Sequence, residues 1–174
     1  TNRRQRQMCI RDSSNIVVGI SSNVIKDSLI AIALDDLKII GISNAIYNPE
    51  KYSLPSFRSI LTSDMKRDLP KYISNYANKD IQVHNVTDIV EFNNKDTLTH
   101  APYGQYIFNE IKQDKVSDSE LEQMKINTKS QATNYLNKIM TNYDFDIFIS
   151  VDNSMAGIAA AAHFPALTIP MGYR

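Results

Sequence analysis

Two continuous apolar runs near the C-terminal end constrain this chain most. Ile147-Phe148-Ile149-Ser150-Val151 lies between Asp146 and Asp152, and Ala166-Leu167-Thr168-Ile169 precedes Pro170. Short apolar runs of this kind, bounded by turn formers and lacking polar alternation, are what a strand covered on both faces requires. Between them, Ala156 to Ala162 is made of Ala, Gly and Ile, which predicts a helix that can pack closely on a sheet. Strand, helix, strand in that order predicts a crossover unit with Ile147, Ile149, Leu167 and Ile169 in the core.

The rest of the chain interleaves elements in the same way. Ile16 to Ile20 reads as a short apolar strand. Ile25, Leu29, Ile32, Ala33, Leu37 and Ile40 then recur at helical spacing up to Gly41, a plausible stop. Ala45 to Tyr47 is a second short strand. Phe57, Ile60, Leu61, Met65 and Leu69 line one side of a helix that Pro70 should kink or end. Asn85 with Asp88 can cap a short helix, and Gly104 to Lys112 reads as another. Ser117 and Glu120 form a capping box, followed by a narrow apolar stripe through Leu121, Met124, Thr128, Ala132, Tyr135, Leu136 and Ile139. The expected fold class is therefore α/β: a mixed sheet flanked by helices and incomplete, because the chain stops at Arg174 directly after a strand and a turn.

Composition limits the partners. At 174 residues, 43% hydrophobic and 22% charged, the chain has room for about one globular domain, and no apolar run reaches the ~18 residues of a membrane span. Lys plus Arg and Asp plus Glu are 19 each, so no net field draws the chain to nucleic acid or to an anionic membrane. Neither partner is expected.

The charge is unevenly placed. Four of the seven Arg, and the only Cys (Cys9), lie in the first eleven residues; residues 14–174 carry 15 basic against 18 acidic side chains. The head, Arg3 to Ser13, resembles the translated read-through of a sequencing adapter, and residues 1–13 are expected to lie outside the fold. A lone Cys forms no internal disulfide, and its absence from the body is compatible with cytoplasm or periplasm alike.

Catalytic constellations are sparse. Ser21-Ser22 follows Gly19 but lacks the glycines of a sharp nucleophile turn, so it reads as loop. His84, His100 and His163 are 16 and 63 positions apart, a spacing that brings no two onto one metal, and His163 reads as a core-edge residue. Asp144, Asp146 and Asp152 bracket a strand, where carboxylates are mostly solvated or act as caps. Five Gly, none close together, offer no phosphate cradle. No catalytic residue, metal or cofactor is assigned.

The stretch from Asp146 to Val151, through Ala159 to His163 and on through Phe164-Pro165-Ala166-Leu167-Thr168-Ile169-Pro170-Met171-Gly172-Tyr173, resembles the C-terminal part of amidase signature enzymes. In that family a buried strand is followed by a loop, a small-residue helix, a Pro and a second strand ending in Pro-x-Gly. Three further pieces occur in family order: Asp64 to Leu69, Val86 to Asn93, and Tyr103-Gly104-Gln105. The resemblance is close over roughly residues 54 to 174 and loose over 16 to 50. It implies an amide-hydrolysing parent of which residues 14–174 are the C-terminal part of one domain, truncated at both ends.

The family works through a Ser nucleophile, a second Ser on a cis peptide bond, a Lys base and a Gly-rich oxyanion loop, all preceding the matched region. No residue here inherits a catalytic role; Lys66 aligns to a helix position outside that triad. By resemblance the loop after the buried strand approaches a small-molecule amide substrate, which makes Asp152, Asn153 and Ser154 candidate contacts. Val151-Asp152 stands where Pro-Thr is common in the family. The rival reading is a self-contained α/β binding module without chemistry, supported by the missing nucleophile. A fragment with unpaired sheet edges is also expected to self-associate.

Overall fold

The computed structural model of the chain describes residues 16–171; the Arg-rich head, Gly172 and Tyr173 lie outside the described residues. The elements, in order, are β1 (Val17–Ser21), α1 (Ser28–Ile39), β2 (Ser43–Tyr47), α2 (Phe57–Tyr76), α3 (Val86–Lys95), α4 (Thr97–His100), α5 (Tyr106–Gln113), α6 (Asp118–Tyr143), β3 (Ile147–Ile149) and α7 (Ala156–Ala162). They fall into two compact units. One comprises the described residues up to Leu54 together with those from Lys129 on, and the other comprises Pro55–Thr128, so the boundary lies inside α6.

The first unit is an α/β sandwich around a three-stranded sheet of order β2-β1-β3. The expected α/β class stands, and the mixed sheet resolves among the described residues into strands that all run parallel. Alternation along β1 assigns the two faces, since successive side chains of a strand point to opposite sides. Val18 and Ile20, nearly inaccessible to solvent, pack with Ile30 of α1. On the other face, beside Val17, lie Phe145 and the C-terminal half of α6, where Tyr47, Ile139 and Phe145 form one cluster and Ala132, Leu136 and Ala162 another. Burying Val18 and Ile20 contributes about 1.5 to 3 kcal/mol each. Gly19, on that second face, leaves room for the Phe145 ring; a Cβ there would lie 2.6 Å from ring carbons.

Local signals set the ends of these elements. Asp27 caps α1, its Oδ1 accepting from Leu29 and Ile30 N–H at 3.0 and 3.3 Å. Gly41, with φ +80°, ends the connection in the left-handed region that favours glycine. Asp146 starts β3 by exchanging two bonds with Val17: its Oδ2 accepts the Val17 N–H at 2.9 Å, and its own N–H donates to Val17 O at 3.0 Å.

The second unit is helical. Val86 and Val90 of α3 meet Ile111 of α5, with Leu69 and Phe108 at the margin. Lys66 of α2 donates to the carbonyls of Lys112 and Asp114, satisfying the C-terminal end of α5, and Arg67 reaches Ser63 O, Val116 O and Asp118 Oδ1. Among the described residues no helix is long and apolar enough to cross a membrane.

Three expectations are corrected. Ala166 to Ile169 is not a buried strand: it has no strand partner among the described residues, and Leu167 and Ile169 are 85% and 63% exposed. A strand buried on both faces needs neighbours to cover it, and the last backbone bond before this segment is Phe164 N–H to Ala159 O. Ile147 is likewise exposed; among the described residues β3 pairs only with β1 and forms an edge. Of the kink or end expected at Pro70, the end does not occur: α2 runs on through the proline to Tyr76, and Ala77 N–H still donates to Ile73 O.

Candidate substrate-binding edge

The order β2-β1-β3 makes β1 a switch point. The chain leaves β1 through α1 to reach β2 on one side, while β3 lies on the other. In open parallel sheets ligands bind in the crevice outside the carboxyl ends of strands at such a point. Here that edge is formed by the turn after β1 and the turn after β3. The register pairs Ile20 with Ile149, so Ser21, the last residue of β1, and Ser150, the first residue after β3, stand at the same level. Val24 from the first turn and Val151 from the second both pack on the Val18, Ile20 and Ile30 cluster, giving the two turns a shared apolar floor.

Asp152, Asn153 and Ser154 sit in the second of these turns, all exposed. Ser154 anchors it: its Oγ donates to Val151 O at 2.9 Å, its N–H donates to the same carbonyl at 3.3 Å, and Ala156 N–H donates to Asn153 O as α7 begins. With its proton committed to Val151, the Ser154 hydroxyl presents lone pairs outward as an acceptor. Asp152 adopts φ 53°, a left-handed conformation that Asp reaches more readily than most residues. Asn153 adds a carboxamide with donor and acceptor together. The turn can therefore recognise amide N–H and C=O groups, which is a binding capacity and not a reactive one.

The facing turn was not singled out as a site by sequence reasoning. Ser21 Oγ accepts from Asn23 N–H at 3.2 Å and Ser22 N–H donates to Tyr47 O at 2.9 Å, followed by a Val24 N–H to Ser21 O turn. Neither hydroxyl is hydrogen-bonded to a base among the described residues; Ser22 lies in the turn, as the loop reading has it, whereas Ser21 is the buried last residue of β1, paired with Tyr47. Only the strand order, a non-local property, brings Ser21, Ser22 and Asn23 opposite Asp152.

The other residues weighed from the sequence have structural work elsewhere. Asp146 holds Val17, and Lys66 holds the end of α5. His163 is exposed, with φ 59°, and caps α7 rather than edging the core. His84 donates its N–H to Asp88, and His100 stacks on Phe92 with centroids 4.3 Å apart. Among the described residues no three His, Cys, Asp or Glu side chains converge as metal ligands.

No family model matches the chain, and no curated protein matches it. Solved structures do. An amidase family protein from Bacillus anthracis superposes with a TM-score of 0.77 at 20% identity over 94% of this chain and 33% of its own. The native peptide amidase from Stenotrophomonas maltophilia gives 0.73 at 18% identity over 91% of this chain and 36% of that one. A peptide amidase in complex with the competitive inhibitor chymostatin gives 0.65 at 15% identity, covering 83% and 35%. The chain thus has the fold of about a third of these amidases and spans about a third of their length.

Proposed function

We propose that this chain is the substrate-shaping part of an amidase-type hydrolase acting on carbon–nitrogen bonds. The nucleophile, its Lys base and the oxyanion donors would come from residues outside it. The observation that carries the reading is the fold likeness over 94% of the chain to an amidase family protein. The switch-point location of Asp152, Asn153 and Ser154 supports it independently, because the residues implied by resemblance coincide with the edge at which parallel sheets bind ligands.

In this role Ser154 and Asn153 orient the amide by hydrogen bonds to its N–H and C=O, and Asp152 accepts from a further N–H or a cationic group of the substrate. Chemistry would follow the acyl-enzyme route: a Ser attacks the carbonyl, the amine leaves with a proton from the general acid, and water resolves the ester. This turn lowers the cost of reaching the attack geometry by fixing the carbonyl.

The test is hydrolysis of a peptide 4-nitroanilide. The 174-residue chain alone should release no nitroaniline, and Ser21→Ala and Ser22→Ala should change nothing. The product of the complete reading frame should turn the substrate over, with Asn153→Ala raising KM roughly tenfold at nearly constant kcat, the pattern of a lost binding contact. A complete product inert toward all amides would instead support the non-catalytic binding module.

A further inference from the structure

The helical unit contains a cleft of about 580 Å³, within the range of small-ligand sites, lined by Ile81, Val83, Asp88, Glu91, Phe92 and Lys95. One wall is a single face of α3, on which residues three and four apart are neighbours. Asp88 and Glu91 therefore place negative charge at one end of that face and Lys95 places positive charge at the other, with Phe92 between them. The segment before α3 supplies the rest of the lining, apolar Ile81 and Val83 with polar Gln82 between them.

Two properties distinguish this cleft from an ordinary solvated helix face. The wall is preorganised. Val86 and Val90 root α3 in the Ile111 core, Asn85 Oδ1 caps its start by accepting from Thr87 and Asp88 N–H, and His100 fixes Phe92 by parallel stacking and a 3.1 Å contact from Nδ1 to Phe92 O. In addition, Glu91 and Lys95, although four residues apart on one helix, form no ion pair with each other or with any other described residue. Their charges are available to a ligand. Asp88 is partly engaged, since its Oδ2 accepts the His84 N–H at 2.7 Å.

We propose that this cleft binds a small zwitterion with apolar side chains, of the free amino-acid or dipeptide class. The ammonium group would lie toward Glu91 and Asp88, the carboxylate toward Lys95, and the side chains against Ile81, Val83 and Phe92. A neutral apolar ligand would leave both charges unmatched, and a simple cation or anion would leave one. Only a molecule carrying both charges and an apolar body satisfies the three features together. The inference is independent of the amidase reading, because it uses a different unit and its test involves no turnover.

The probe is L-leucyl-L-phenylalanine, titrated into the full chain while backbone amide shifts are followed by NMR. Saturable shifts confined to residues 81–100 are expected. The blocked analogue, acetyl-leucyl-phenylalanine amide, which keeps the side chains and loses both charges, should bind at least tenfold more weakly. Glu91→Gln and Lys95→Gln should each weaken the free dipeptide severalfold and leave the blocked analogue unaffected; both positions are exposed, so the spectrum elsewhere should be unchanged. Equal affinity for the two peptides, saturable shifts elsewhere only, or no saturation overturns the proposal. The blocked-peptide comparison uses the unaltered chain and decides the matter even if a variant fails to fold.

Discussion

Replacing Gly19 with Ala tests the packing of the sheet at its tightest point. The added Cβ would stand 2.6 Å from Cδ1 and Cε1 of Phe145 and 2.7 Å from Cγ, whereas carbon atoms in contact prefer about 3.5 to 4.0 Å. The ring or the strand must therefore move by roughly 1 Å. The ring has little freedom to do so: Phe145 is 5% exposed and is surrounded by Tyr47 at 5.6 Å, Phe148 at 6.4 Å and Tyr143 at 6.5 Å between centroids. The strand is held on both sides, Gly19 lying opposite Ala45 and Phe148. Overpacking of this kind costs about 1 to 3 kcal/mol, offset by the ~0.4 to 1 kcal/mol that Gly to Ala gains by stiffening the unfolded chain. A net loss of about 1 to 2 kcal/mol is expected in urea denaturation followed by far-UV circular dichroism, since the chain has no Trp to report by fluorescence. The decisive comparison repeats the substitution in a Phe145→Ala background, where Cγ, Cδ1 and Cε1 are all gone. There Gly19→Ala should be neutral or stabilising, giving a coupling of at least about 1 kcal/mol between the two sites. Equal losses in both backgrounds would refute the account and place the cost in the backbone.

Three further outcomes follow from the same structure. Ser63 is fully buried on α2 and its Oγ has no hydrogen-bond partner among the described residues, so Ser63→Ala should raise stability by about 1 kcal/mol; a loss would mean the hydroxyl is satisfied after all. Burial holds the Tyr47, Tyr52 and Tyr135 phenols above their ordinary value, with Tyr135 adding repulsion at the first two and Glu50 at the third. Their raised folded-state values give a stabilising contribution that is complete below about pH 10 and is lost as pH rises through those values. In a tyrosinate absorbance titration some of the nine Tyr should therefore ionise only with alkaline unfolding, an expectation that a single uniform step near pH 10 would contradict. Finally, exposed Leu167 and Ile169 should make the chain self-associate or bind a hydrophobic dye, and Leu167→Lys with Ile169→Lys should abolish both; a monomeric, dye-negative parent would count against it.

What was legible in the sequence was local. The Ser117 and Glu120 capping box starts α6 as its spacing predicts, with Glu120 Oε2 accepting from Ser117 N–H and Ser117 Oγ accepting from Glu120 N–H. At the start of α3 Asn85 Oδ1 likewise accepts from Asp88 N–H, but Asp88 Oδ2 accepts from the N–H of His84, one residue before the cap. Burial was less legible because it belongs to neighbours. Val18 and Ile20 have a layer on each face and disappear from solvent, whereas the equally apolar Leu167 and Ile169 have none among the described residues and remain outside. Apolar pattern states what a segment requires, and only the assembled fold states what it receives.

The candidate edge divides along the same line. Asp152, Asn153 and Ser154 could be named only because the run before them resembles a known family segment. Ser21, Ser22 and Asn23 carry equally polar groups after an equally apolar strand, yet their relevance depends on β3 inserting beside β1 from a point 126 residues along the chain, as the pairing of Ile147 with Val18 and of Ile149 with Ile20 requires when Ser21 is taken to Ile147. No periodicity within a short window encodes that adjacency. The Val24 and Val151 side chains record it instead, since both rest on the same Val18, Ile20 and Ile30 cluster. A single bulky change on that floor, such as Val151→Phe, would therefore act on both turns together.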